Sequence, residues 1–98
     1  MVAPKSSPLP RFTIGQLVAT PGALQALGQA RQKPIEFIAR HQTGDWGTVC
    51  EEDAEANEQS LIHGERLLSA YVLNTGVKIW LITEANREAT TILLPEEY

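Results

Sequence analysis

The spacing of apolar residues changes near position 65 of the chain. Before this point, apolar residues recur at the spacing of about 3.6 that is typical of amphipathic helices. After it, the segment from Val77 to Glu84 alternates, with Ile79 and Leu81 on one side and Trp80 on the other. Strict alternation is typical of a half-buried strand. The pattern therefore predicts an α+β fold in which N-terminal helices pack on a C-terminal sheet.

Two helices are predicted before residue 43 from their start signals. Thr20 is a good N-cap, and Pro21 suits the first helical position because its missing N–H would have no partner there. This helix should end near Ala30. Pro34 begins a second, shorter helix by the same rule. The apolar residues expected to face the core from this second helix are Ile35, Phe37, Ile38 and Ala39.

A third helix is predicted after the glycine-bracketed loop, residues 44–47 (GDWG). Thr48 and Glu51 have the spacing of a capping box, in which the hydroxyl and the carboxylate each satisfy an open backbone N–H. The helix should run to about His63, since Gly64 suits the left-handed position that ends a helix. Its predicted inner face carries Ala54, Asn57 and Leu61.

Three strands are predicted at the C-terminal end, over residues 67–73, 77–84 and 90–94. The connections between them are short, and short connections join antiparallel neighbours. We therefore expect a three-stranded antiparallel β-meander that ends at Pro95, with the last strand as a candidate edge strand. Residues 12–19 are apolar and β-branched but contain Gly15, so they fit either a strand or a loop leading into the first helix.

The length of 98 residues predicts one domain. Residues 1–11 are rich in Pro and Ser and have no period, so we expect a flexible N-terminal arm followed by a single α+β domain over residues 12–98. No stretch approaches the roughly 20 apolar residues that span a membrane, and the N-terminus lacks the apolar core of a secretory signal. The single cysteine, Cys50, excludes an internal disulfide. These features predict a cytoplasmic protein.

Charge narrows the choice of partner. The net charge is −4, and the eight basic residues are scattered, with no two adjacent. This balance argues against nucleic acid as the main partner, although it leaves a local basic site open. A protein partner is open, and so is a homo-oligomer in which a second copy completes the small sheet.

The densest group of polar residues surrounds the glycine-bracketed loop. His41 precedes Asp45 and Trp46, and a histidine beside a shaped loop could act as a general acid or base. In the alternative, structural reading, Asp45 braces the loop, Trp46 fills the core and His41 sits favourably at a helix C-terminus. Neither a metal nor a cofactor is predicted, because the candidate metal ligands have no recognised spacing. These candidates are His41, Asp45, Cys50 and His63.

A second group of polar and aromatic residues lies on the predicted sheet. Arginine, tyrosine, tryptophan and threonine on one face could form a platform for a nucleotide or a peptide. A wet sheet face also needs polar residues for solubility alone. The group comprises Arg66, Ser69, Tyr71, Lys78, Trp80, Thr83, Arg87, Thr90 and Thr91. Taken from the loop and the sheet, the predicted binding residues are Asp45, Trp46, Tyr71, Trp80, Thr83 and Thr91.

Five segments of the chain carry a resemblance to a known family. They are residues 18–24 (VATPGAL), 44–47 (GDWG), 66–71 (RLLSAY), 82–85 (ITEA) and 90–98 (TTILLPEEY). On these segments the chain resembles a widespread family of small uncharacterised bacterial proteins, often encoded on plasmids and other mobile elements. Some members are labelled as a type I restriction–modification subunit. A DNA methylase subunit needs a far larger cofactor-binding domain, with a glycine-rich loop and an Asn/Asp-Pro-Pro-aromatic signature, and these are missing from the sequence. The resemblance therefore implies a mobile-element protein but no activity.

A looser resemblance is to small bacterial ribonucleases and toxins of the barnase/RelE type, which also place helices before an antiparallel sheet. It implies His41 as the base, with Arg66 and Arg87 stabilising the phosphate transition state. The turn at residues 84–87 lacks the histidine of the barnase branch, and the net charge is acidic where such toxins are basic. Small size, mild acidity and the lack of a catalytic motif favour a non-catalytic interaction or regulatory module. A ribonuclease toxin is the alternative.

Overall fold

The structure, a computed structural model, describes residues 9–98. Within these residues, three helices come before three of the four strands of a mixed sheet, which confirms the predicted α+β class with N-terminal helices. In chain order the elements are β1 (Gln16–Ala19), α1 (Pro21–Ala30), α2 (Pro34–Gln42), α3 (Glu51–His63), β2 (Leu67–Val72), β3 (Lys78–Thr83), β4 (Ala89–Leu93) and a 3₁₀ turn (Pro95–Glu97).

The sheet has one more strand than the predicted three-stranded meander. Its order is β1-β4-β3-β2, with β1 parallel to β4 and the other neighbours antiparallel. Gln16 pairs with Ala89 and Ala19 with Ile92, so the segment that fitted either a strand or a loop contains a strand. The predicted edge strand, β4, is consequently internal. This prediction was wrong because β1 is short and its partner is distant in sequence, so local patterning gives no sign of the pairing.

The predicted start of α1 and end of α3 are confirmed. At the start of α1, the Thr20 hydroxyl accepts a hydrogen bond from the Ala23 amide at 3.2 Å, and Pro21 occupies the first turn. At the end of α3, Gly64 has a φ of 70°, in the left-handed region that favours glycine. Both boundaries depend on residues adjacent in sequence, which is why local rules find them.

The predicted capping box at the start of α3 is wrong. α3 begins after Cys50, which makes no side-chain cap hydrogen bond. The Thr48 hydroxyl instead donates to the Ala70 carbonyl of β2 at 3.3 Å, and the Thr48 amide donates to the same carbonyl at 2.7 Å. Thr48 therefore pairs with the sheet, although its spacing to Glu51 had assigned it to the start of the helix.

The core lies between the helices and the inner face of the sheet. From α2 it receives Phe37, Ile38 and His41, whereas Ile35 is 64% exposed and Ala39 faces solvent, contrary to prediction. The Phe37 ring lies 5.4 Å from the Tyr71 ring of β2, between centroids. This aromatic contact sets the rotation of α2. The apolar core cluster comprises Ala23, Ala26, Leu27, Ala30, Phe37, Ile38, Tyr71, Leu73, Ile79, Leu81 and Ile92.

The free edge of β2 is covered by other parts of the chain. The Asn57 side chain of α3 donates to the Leu68 carbonyl at 2.7 Å and accepts from the Leu68 amide at 3.0 Å. The Ala70 amide donates to the Trp46 carbonyl at 3.1 Å. Because these backbone groups are paired, this part of the edge cannot recruit a further strand. β1 forms the other edge of the sheet.

The predicted N-terminal arm falls mostly on residues 1–8, which lie outside the described residues. Within its remainder, Arg11 is held against the domain. Its amide donates to the Gln42 carbonyl at 2.7 Å, and its guanidinium forms an ion pair with Glu58 at 2.7 Å. Among residues 9–98, no helix combines the length and the apolar character needed to cross a membrane.

Candidate functional site

Four hydrogen-bonded side chains lie in the core at the inner face of the sheet, and we call them the His41 network. His41 of α2 contacts Ser69 of β2 through Nδ1 at 2.5 Å and Thr83 of β3 through Nε2 at 2.8 Å. Thr83 contacts Thr90 of β4 at 2.7 Å, and the Thr90 hydroxyl donates to the Ile14 carbonyl at 2.8 Å. All four side chains are fully buried. The network thus ties α2 to all three antiparallel strands.

The direction of each hydrogen bond in the His41 network follows from its last member. A hydroxyl has a single proton, and Thr90 uses its proton on Ile14. Thr83 must therefore donate to Thr90 and accept from His41, which places the imidazole proton on Nε2. Nδ1 then accepts from Ser69. The neutral imidazole is satisfied on both nitrogens, as a buried polar group requires.

The His41 network is closed to solvent by aromatic rings. Phe12 and Trp46 lie edge-on to the imidazole, at centroid distances of 5.0 Å and 5.8 Å. Burial, and secondarily the charge of Arg87, lowers the pKa of His41 to about 4, so the ring is neutral near pH 7. Ser69 faces His41 as a nucleophile faces its base. Since both residues are fully buried, a substrate cannot reach this pair in the described structure.

The three residues implied by the ribonuclease resemblance do not meet. The Arg87 guanidinium, in the β3–β4 turn, donates to backbone carbonyls at and just after the end of α3, at 3.1 Å and 2.6 Å. The Arg66 guanidinium instead donates to the Tyr98 hydroxyl at 2.7 Å. Tyr98 packs against Trp80, which strand alternation places on the outer face of the sheet, away from the helices. His41 contacts the inner face, so one phosphate cannot contact all three residues.

The glycine-bracketed loop is braced from within. The Asp45 carboxylate accepts from the Arg40 guanidinium at 2.7 Å, and the Asp45 carbonyl accepts from the Tyr71 hydroxyl at 2.6 Å. Burial raises the pKa of Tyr71, which keeps this hydroxyl protonated as a donor. Trp46 is only 6% exposed and donates through Nε1 to Glu58 at 3.0 Å. These polar groups are thus engaged in holding the loop.

The outer face of the sheet carries a cluster of one cation and two aromatic rings. The Trp80 and Tyr98 rings lie 5.7 Å apart between centroids, at an interplanar angle of 67°. The Arg66 guanidinium carbon lies 5.6 Å from the Tyr98 ring centroid. We call Arg66, Trp80 and Tyr98 the outer-face cluster. Its edge-to-face and cation–π contacts are the arrangements that aromatic rings prefer.

A pocket of about 230 Å³ adjoins the outer-face cluster. Ile82 and Leu93 supply apolar walls, while Thr91 and Glu84 supply polar ones. Arg66 and Tyr98 of the outer-face cluster complete part of the lining. Apolar walls with a few polar groups are typical of binding sites for small groups. The pocket therefore gives the outer-face cluster an adjoining recess in which a small group could bind.

The predicted binding residues divide between the two sides of the sheet. Trp80 and Thr91 share the outer face with Arg66, as a platform would require. The other side holds Trp46, Tyr71 and Thr83, which are buried, and the partly buried Asp45. Tyr98 was missed. In the sequence, Tyr98 belongs to a short polar segment after the last strand. Its position against the sheet depends on the 3₁₀ turn after Leu94.

Comparison of the chain with protein-family models, with curated proteins and with solved structures finds no match. Among residues 9–98, no group of three or more His, Cys, Asp or Glu side chains is placed to hold a metal ion.

Proposed function

We propose that this protein is a non-catalytic interaction module that binds a protein partner through the outer-face cluster. The supporting observation is the cluster itself: an arginine and two aromatic residues contact one another at the surface, beside a pocket with apolar walls. Tryptophan, tyrosine and arginine dominate binding hot spots because each combines a large contact area with hydrogen bonding. The side chains best suited to chemistry are sequestered, since His41 is buried and Arg87 is bound to carbonyl groups.

The ribonuclease alternative has no comparable support, because Arg66 lies on the outer face of the sheet, away from His41, and the Arg87 guanidinium is occupied by backbone carbonyls. An origin on a bacterial mobile element stays a prediction from resemblance, and it is compatible with a small adaptor.

To test this function, a partner is first captured by crosslinking and then produced and purified separately. The affinity of the unaltered chain for this partner is compared with the affinities of three variants. Arg66→Ala and Trp80→Ala each remove one member of the outer-face cluster. Arg31→Ala is the matched control, since Arg31 is an exposed arginine at the end of α1. Circular dichroism establishes that each variant is folded.

We expect each cluster variant to weaken the affinity by about thirtyfold, the size of a hot-spot residue worth about 2 kcal/mol. Arg31→Ala should leave the affinity within about twofold. Unchanged affinity in both cluster variants would refute the assignment of the surface, and an equal loss in the control would point to a non-specific charge effect.

A further inference from the structure

The outer-face cluster is built partly from the chain's own C-terminal segment. Residues 95–98, which we call the tail, follow β4 and turn back against β3. Tyr98 is 67% exposed, yet its ring contacts Trp80 and its hydroxyl accepts from Arg66 at 2.7 Å. The tail therefore touches the sheet as a short bound peptide would, through one side chain with a defined partner for its ring and another for its hydroxyl.

The tail makes a second polar contact one residue earlier. The Glu97 carboxylate accepts from the Thr20 hydroxyl at 2.5 Å and from the Leu94 amide at 2.8 Å. Thr20 is the N-cap of α1, where the helix dipole favours an anion. Hydrogen bonds from Thr20, Leu94 and the Gly22 amide lower the pKa of Glu97. The surface thus provides one position for a carboxylate and one for a phenol.

We propose that the partner presents a tyrosine preceded by an acidic residue to Arg66 and Trp80 of the outer-face cluster and to Thr20. The tail, which supplies Tyr98, occupies the same positions and is displaced when the partner binds. This inference rests on the proposed function. Trp80 selects an aromatic ring, Arg66 selects a hydroxyl on that ring, and Thr20 at the start of α1 selects the carboxylate. Because the tail is tethered, it acts at a high effective concentration and lowers the apparent affinity of any such partner.

The test uses an acetylated peptide with the sequence of residues 94–98, LPEEY, as the probe. Peptides ending in Phe or Ala in place of Tyr are the controls. The receptors are the intact chain, a chain lacking residues 95–98, and the double variant Glu97→Ala/Tyr98→Ala, which vacates both positions without shortening the chain if the deletion fails to fold. Binding is followed by NMR through the indole N–H of Trp80. The Trp46 indole, which donates to Glu58 and contacts His41 on the inner side of the sheet, is the internal control.

We expect LPEEY to shift the Trp80 signal of the deleted chain or of the double variant saturably, and to leave the Trp46 signal unmoved. The intact chain should bind at least about tenfold more weakly, because the tethered tail competes. The Phe peptide should bind about tenfold more weakly than LPEEY, through loss of one hydrogen bond to a charged donor, and Arg66→Met should abolish that difference. The Ala peptide should not bind.

Two results would overturn the inference. One is that LPEEY fails to shift the Trp80 signal in a folded chain whose tail is absent or carries the double substitution. The other is that the Tyr, Phe and Ala peptides bind alike. Either result leaves the proposed function standing if Arg66→Ala and Trp80→Ala still weaken binding of the captured partner. If Arg66→Ala and Trp80→Ala leave binding of the captured partner unchanged but LPEEY still binds, the proposed function is rejected. The site for the tail peptide would then still stand.

Discussion

At the scale of single residues, the clearest consequence concerns the proton of His41. The pKa of His41 is about 4 in the folded protein and 6.5 in the unfolded chain, so the unfolded chain binds more protons between these values. Stability is therefore full above pH 6.5 and falls as the pH falls. We expect a loss of about 2 kcal/mol between pH 6.5 and about 5, at about 1.4 kcal/mol for each pH unit. Urea denaturation at several pH values measures it.

The second histidine offers a matched control for this pH dependence. His63 is exposed at the end of α3, so His63→Gln should keep the slope between pH 6.5 and 5. His41→Gln retains an amide that can donate and accept hydrogen bonds, and it should flatten the slope. A slope that survived His41→Gln and vanished in His63→Gln would show that the wrong imidazole had been identified.

Two glycines illustrate how the same substitution can have opposite effects. Gly47 has a φ of 76°, and a Cβ there would overlap the Ala70 carbonyl oxygen. Gly28 lies within α1, where a Cβ would meet no atom within 4 Å. We expect Gly47→Ala to lower the free energy of unfolding by about 3 kcal/mol or more. Gly28→Ala should raise it by about 0.5–1 kcal/mol, since alanine is the better helix former. Thermal unfolding of both variants measures these changes. Equal effects would contradict the explanation from the backbone conformation of Gly47 and the overlap at that position.

At the scale of elements, Arg87 joins the β3–β4 turn to the end of α3. Its planar guanidinium donates to carbonyls on both elements, and a lysine ammonium cannot reproduce that fork. We expect Arg87→Lys to lower the free energy of unfolding by about 1–2 kcal/mol. Arg31→Lys is the control, because Arg31 also has a positive φ but its side chain has no hydrogen-bond or ion-pair partner among residues 9–98. A similar loss of unfolding free energy in both variants would show that the effect comes from the positive φ that the two positions share, and not from the guanidinium hydrogen bonds of Arg87.

The elements that could be predicted from the sequence are those whose boundaries depend on neighbouring residues. Thr20-Pro21 begins α1 and Gly64 ends α3 because capping acts within one turn. β1 could not be predicted with the same certainty, since a parallel strand gains its hydrogen bonds from a partner distant in sequence. Thr48 was misassigned for a related reason: its hydroxyl donates to the Ala70 carbonyl of β2, which is distant in sequence, and does not accept from an amide of the helix that Thr48 precedes.

The candidate sites show the same division. His41 could be singled out from its neighbourhood, but its role depends on Ser69 and Thr83, which only the folded sheet brings to it. Alternation placed Trp80 on the opposite side of β3 from Thr83, yet it gave no reason to prefer the outer face. That preference came from Tyr98, whose contacts require the tail to turn back across the sheet.

At the scale of the whole molecule, the two faces of the sheet have different tasks. The polar side chains of the His41 network on the inner face form hydrogen bonds with one another inside the protein. The outer face is contacted by the 3₁₀ turn of the tail, and it presents the outer-face cluster with its pocket. A surface that recognises a partner needs side chains that a partner can reach, and Arg66 and Tyr98 on the outer face are exposed.

The distribution of charge over the molecule leads to the last prediction, which concerns nucleic acid. The chain carries a net charge of −4, and its arginine side chains are largely engaged: Arg11 with Glu58, Arg40 with Asp45. Phosphate binding requires free cations on one surface and weakens with added salt. We therefore expect neither cleavage of single-stranded RNA nor binding of it at about 0.15 M salt, measured by fluorescence anisotropy with a labelled oligonucleotide.

A variant with Glu51, Glu52 and Asp53 changed to lysine serves as the positive control, because it places three cations on the exposed first turn of α3. It should bind the oligonucleotide with an affinity that falls steeply with salt, which shows that the assay detects phosphate contacts. Salt-dependent binding by the unaltered chain, lost in Arg66→Ala, would instead make the outer face a nucleic-acid surface and return the ribonuclease alternative to consideration. If the unaltered chain shows no RNA binding at any salt concentration while the lysine variant binds, a protein segment remains the partner that the outer-face cluster fits.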